Sequence, residues 1–174
     1  MSINIANIRE LSKTYPNDID CRSKATSMLN ALPCYEYLES IRTSIPHQLY
    51  AYNLRALLQY NTANVPADMR LRMLEGVFWD DIMYQDEIDA INSFEPEIII
   101  YRGTYPTEDT PGLSWTLRKS IAESEPFNHG RVFKAIIPKE DILVYLAHQE
   151  DESEIIANVT SGYTIIKDYG LTKL

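Results

Sequence analysis

Three short segments in the second half of the chain carry residue types that together can break a glycosidic bond: Ile98-Ile99-Ile100-Tyr101-Arg102-Gly103, then Gly112-Leu113-Ser114-Trp115-Thr116-Leu117, then Glu152-Ser153-Glu154-Ile155-Ile156-Ala157. Arg102 ends an apolar run, and a planar guanidinium donating paired hydrogen bonds suits a phosphate better than an ammonium does. Gly103 follows it and lets the backbone come close to a ligand. If Leu113 and Trp115 face one side of a short strand, Ser114 and Thr116 face the other. A serine hydroxyl there can donate to a carboxylate on a neighbouring strand, while Thr116 caps the helix that follows. Glu152 and Glu154 are two apart, so both carboxylates point the same way if a strand begins here. One carboxylate beneath a ribosyl oxocarbenium ion lowers the barrier to losing the leaving group. The other can take a proton from the incoming nucleophile or orient it.

Plainer readings exist for each segment. Arg102 can cap a sheet edge and pair with a surface acid, Trp115 can be a core aromatic, and Glu150, Asp151, Glu152 and Glu154 can form a solvated acidic loop. Against the last stands the abrupt change to Ile155-Ile156-Ala157, because a charge opening a buried strand costs desolvation unless it is paired or used. Glu150-x-Glu152 has the same spacing as Glu152-x-Glu154, but only the later pair runs straight into an apolar strand. The histidines, His47, His129 and His148, have no serine or cysteine nucleophile arranged around them. Cys21 and Cys34 form no CxxC pair and have no histidine at ligand spacing, so they read as buried thiols, and no metal site is expected. A glycine-rich dinucleotide fingerprint, a P-loop and a G-x-S-x-G elbow are all missing, so a dinucleotide bound here is not bound on a Rossmann fold.

The elements that must position these residues change in kind near Phe94-Glu95-Pro96. Before it, apolar residues recur at helical spacing: Leu29, Leu32, Leu38 and Ile41; Leu49, Leu54, Leu57 and Leu58; Met69, Leu71, Met73, Leu74, Val77 and Phe78. Pro66 suits a first helical turn, and Pro16, Pro33, Pro46 and Asn61-Thr62-Ala63-Asn64 punctuate the helices. After it come short runs rich in isoleucine and valine: 98–101, 132–137, 142–146, 154–159 and 163–166. These predict strands, with 117–124 as the one clear helix among them. The fold class is α+β: a helical region over 1–94, a β-rich region over 95–174, mostly antiparallel, in one compact unit.

Sixteen basic residues against twenty-five acidic ones give a net charge of -9, which argues against broad, nonspecific attachment to nucleic acid or to an anionic membrane. The N-terminus has no basic stretch followed by an apolar run, and nowhere do about 18 apolar residues follow one another. A protein of a reducing cytoplasm is expected, without a membrane. Asn158-Val159-Thr160 matches a glycosylation sequon by chance, in what reads as a strand.

Taken in order, Tyr101-Arg102-Gly103, Ser114-Trp115-Thr116 and Glu152-Ser153-Glu154 resemble the Arg-Ser-Glu class of ADP-ribosyltransferases, the class of the cholera-toxin-like and arginine-modifying enzymes. The resemblance spans Ile98 to Tyr169 and implies a split, mostly antiparallel sheet with NAD as co-substrate. It implies that Arg102, with Gly103 beside it, holds the NAD phosphates and ribose. Ser114 begins the middle motif and supports the catalytic Glu154, with Trp115 and Thr116 alongside, and Glu152 helps choose the acceptor. The usual middle motif is Ser-Thr-Ser; here Trp115 and Thr116 take its second and third places. A glutamate at 152 resembles the enzymes that modify arginine. Phe127 stacks on nicotinamide or adenine, or simply packs its loop. The resemblance implies a mono-ADP-ribosyltransferase acting on a macromolecule, most naturally a protein, in an intracellular effector such as a phage or mobile element encodes. Its alternatives are an NAD glycohydrolase and a catalytically silent interaction or inhibitor module with an acidic surface.

Overall fold

The computed structural model describes residues 3–14, 32–60, 65–105, 111–124, 130–147 and 153–168. Cys21, Phe127, His129, His148, Glu150, Asp151 and Glu152 lie outside them. The chain divides into two compact units, Met1–Ile88 and Asp89–Leu174. It is a mixture of helices and antiparallel sheet, an α+β protein.

The first unit is helical: α1 (Ile5–Thr14), α2 (Leu32–Ser40), α3 (His47–Tyr60), α4 (Ala67–Leu74), α5 (Trp79–Ile82) and the start of α6 (Gln85–Ser93). Proline punctuation sets several starts. Pro46 accepts the amides of Leu49 and Tyr50 at the head of α3, and Pro66 stands at the N-cap of α4 and accepts the amide of Arg70. Leu49, Leu54 and Leu57 are fully buried, as their spacing on α3 requires. Phe78 departs from the helical pattern read over 69–78, being 72% exposed. Gly76 takes φ +72 just after α4, and Phe78 is extended at φ -99, ψ 167 before α5, so Phe78 belongs to no buried helical face.

One buried ion pair ties this unit together. Arg55 on α3 meets Glu87 on α6 through two 2.8 Å hydrogen bonds, with side chains 4% and 2% exposed. Arg55 also donates to Ile82 O, and Glu87 accepts the Tyr84 amide. Each charge therefore has neutralising partners where water does not reach.

The second unit carries a six-stranded sheet: β1 (Glu97–Thr104), β2 (Ser114–Thr116), β3 (Arg131–Pro138), β4 (Ile142–Ala147), β5 (Ser153–Ala157) and β6 (Tyr163–Asp168). The spatial order is β4-β5-β2-β1-β3-β6, and every adjacent pair is antiparallel. Burial follows the apolar runs except in the edge strand β6, where Ile165 and Ile166 are exposed. In β1, Ile98 and Ile100 are buried while Glu97 and Ile99 are exposed, the alternation of a strand with one covered face. In β5, Ile155 and Ile156 are both fully buried, so this strand is covered on both faces and reads as a continuous apolar run.

Two elements stop short of the sequence expectation. The helix over 117–124 shrinks to α7 (Lys119–Ala122), because the Thr116 hydroxyl accepts the Arg118 amide at 3.1 Å and the chain turns before the helix begins. Strand β5 ends at Ala157, so Asn158 is an exposed residue beyond the strand.

Candidate active site

The sheet order places the three motif segments on three neighbouring strands: β5 with Glu154, β2 with Ser114 to Thr116, and β1 with Arg102 and Gly103. They come from positions up to 52 residues apart in sequence and become adjacent because β2 is inserted between β1 and β5.

Thr116 pairs directly with Glu154, and Ser114 pairs with Ile156. Opposite residues of an antiparallel ladder share a face, and residues two apart share a face along a strand. The Ser114 and Thr116 hydroxyls and the Glu154 carboxylate therefore stand on one side of the sheet. Tyr101 pairs with Thr116 and joins that face, as does Gly103 two residues on. Thr116 is 8% exposed, whereas Ser114 and Glu154 are partly buried, so a ligand can reach the hydroxyl and the carboxylate. Trp115 is turned the other way with Ile155, 2% exposed, in the core position of a large aromatic.

Arg102 approaches from the opposite face, that of Ile98 and Ile100. It then reaches β2 through the main chain: Nη1 donates to the Ser114 carbonyl at 2.6 Å. The contact falls at a narrow seam. Strands β1 and β3 are paired at eight positions, whereas β1 and β2 are paired at one, Tyr101 with Thr116. Past that rung the guanidinium takes over from the ladder. Gly112 makes room for it: at φ +70, a Cβ there would lie 3.3 Å from Arg102 Nη2.

Two residues near the site carried no role in the sequence reading. Gly112 opens the second motif segment without a role of its own, and its contact with Arg102 depends on the fold. Tyr145, on β4, donates from its hydroxyl to Ser153 Oγ at 3.0 Å, next to Glu154. A tyrosine inside the apolar run Ile142 to Leu146 was the available signal, since a buried phenol needs a partner. Elsewhere, a groove of about 430 Å³ in the helical unit is lined by Ile5, Ile8, Arg9, Ser12, Lys13, Tyr52 and Asn53, none of them a motif residue. Among the described residues no three His, Cys, Asp or Glu side chains gather as metal ligands would, and no helix is long and apolar enough to cross a membrane.

Against protein-family models, curated proteins and solved structures, the chain has no match.

Proposed function

We propose that this chain is a mono-ADP-ribosyltransferase: it cleaves NAD, releases nicotinamide and passes ADP-ribose to a macromolecular acceptor, most naturally a protein side chain. The observation that supports the reading is the adjacency of β5, β2 and β1, which puts Glu154, Ser114 and Thr116 on one face, with Arg102 holding the Ser114 carbonyl from the other.

In this reading NAD lies on the face that carries Ser114, Thr116 and Glu154. Arg102, on the opposite face, braces β2 through the Ser114 carbonyl and so supports this surface from behind instead of meeting the pyrophosphate directly. Gly103 leaves space on the face of the hydroxyls. Departure of nicotinamide puts positive charge on the ribose, and Glu154, fixed opposite Thr116, is the carboxylate that stabilises it. Ser114, one pleat away on the same face, orients that carboxylate. Glu152, outside the described residues, would meet the acceptor and carries the preference for arginine.

The test is incubation with labelled NAD and a cell lysate, beside Glu154→Gln and Arg102→Ala. Transfer predicts nicotinamide release and label on a macromolecule, with Glu154→Gln lowering both by a factor on the order of 10²–10³. Nicotinamide release without labelled macromolecule identifies a glycohydrolase. Unchanged labelling in Glu154→Gln, or no NAD consumption by the folded protein, overturns the proposal.

A further inference from the structure

We infer that Tyr145 is a positioning residue for Glu154, acting through Ser153, an inference that rests on the reaction proposed above. Glu154 is the second residue of β5, and strand ends are where a ladder loosens first. The carboxylate needs a fixed origin, because misplacement by about 1 Å can cost about a hundredfold in rate.

The main-chain pairing at this end comprises Ala147 with Ser153, Leu146 with Glu154 and Tyr145 with Ile155. Tyr145 therefore sits two rungs in from the end, on the face of Ile155 and Ser153 and opposite to that of Glu154. From there its hydroxyl crosses the strands diagonally and donates to Ser153 Oγ, tying the terminal residue of β5 to the interior. The phenol is itself held. It is 8% exposed, and the Phe94 ring meets it edge to face, 5.7 Å between centroids at 83°.

Consequently the residue that bears the carboxylate is pinned from behind, while its side chain stays on the face of Ser114 and Thr116. This gives the middle position of Glu152-Ser153-Glu154 a specific job. A hydroxyl at 153 closes the tether, and alanine cannot.

The experiment compares Tyr145→Phe, Ser153→Ala and the double variant with the full chain, reading nicotinamide release from NAD and the hydrogen-exchange rate of the Glu154 amide. Each single variant should lower kcat about tenfold with KM for NAD within about twofold, since orientation and not binding is lost. The double variant should fall no further than the singles, and Ser153→Thr should retain most of the rate. Exchange at Glu154 should quicken in Tyr145→Phe while the β1–β3 amides keep their protection. A kcat unchanged in both single variants, or losses that add in full, overturns the inference. If the unaltered chain releases no nicotinamide, the proposed reaction fails on its own. The tether is then judged by exchange alone: a quickened Glu154 amide supports it, and an unchanged one removes it.

Discussion

Arg102 and Ser114 are joined side chain to main chain: the guanidinium Nη1 lies 2.6 Å from the serine carbonyl oxygen, just where the single β1–β2 rung ends. A hydrogen bond from a charged donor contributes more than one between neutral groups, about 1.5–3 kcal/mol. Its position makes it a strut between the two inner strands of the sheet, and its effects should spread to whatever β2 supports.

Gly112→Ala tests the space around that strut. The backbone at φ +70 penalises any side chain by about 1–2 kcal/mol, and here the added methyl would also press on Arg102 Nη2 from 3.3 Å. Gly162→Ala is the control, with φ +75 and nothing within 4 Å of the added atom. Denaturant unfolding should show a similar backbone cost in both variants. Nicotinamide release should fall only in Gly112→Ala, by about tenfold.

The Arg55–Glu87 pair predicts a steep, one-sided sensitivity in the helical unit. Glu87→Gln leaves a 4%-exposed guanidinium without its counter-charge and should cost about 3–5 kcal/mol in denaturant unfolding. Replacing both partners with methionine should restore much of that loss, because no charge is then left buried. Equal destabilisation in the single and double variants would show that packing, not charge, holds α3 and α6 in place.

Tyr50 gives a pH dependence with a definite sign. Burial, followed by its hydrogen bond to Glu39 Oε2 at 2.9 Å, holds the phenol far above the ordinary tyrosine value near 10. The folded state therefore keeps a proton that the unfolded chain releases. The stability tied to this group is intact below about pH 10 and declines as pH rises further, by up to about 1.4 kcal/mol per pH unit. Tyr50→Phe should cost about 1 kcal/mol at neutral pH and show a shallower fall in unfolding free energy between about pH 9.5 and 11. Parallel curves for the two proteins would contradict this assignment.

Much of the sheet was visible in the chain because β-branched runs bounded by Gly, Pro and polar residues leave little choice of element. Ile98 to Tyr101, Val132 to Ile137 and Tyr163 to Ile166 are each found inside a longer strand, β1 running on to Thr104. What the pattern misjudged were ends. Leu117 to Ser124 has the composition of a helix, yet one hydroxyl at Thr116 diverts the chain through Arg118 before the first helical turn. Phe78 continued an apolar periodicity that Gly76 had already broken. The site was legible as residue types but not as directions. Ser114, Thr116 and Glu154 share a face as alternation implied, while Arg102 works from the other face through a carbonyl. A main-chain acceptor leaves no trace in residue identity, and neither does a contact as distant as Arg55 with Glu87.

Peptide groups elsewhere in the sheet need their partner strand in register, whereas a guanidinium at the end of a flexible arm tolerates small shifts of β2 and never loses its proton in the range where cells live. The middle of the sheet is thus closed by a clasp that acidity cannot open.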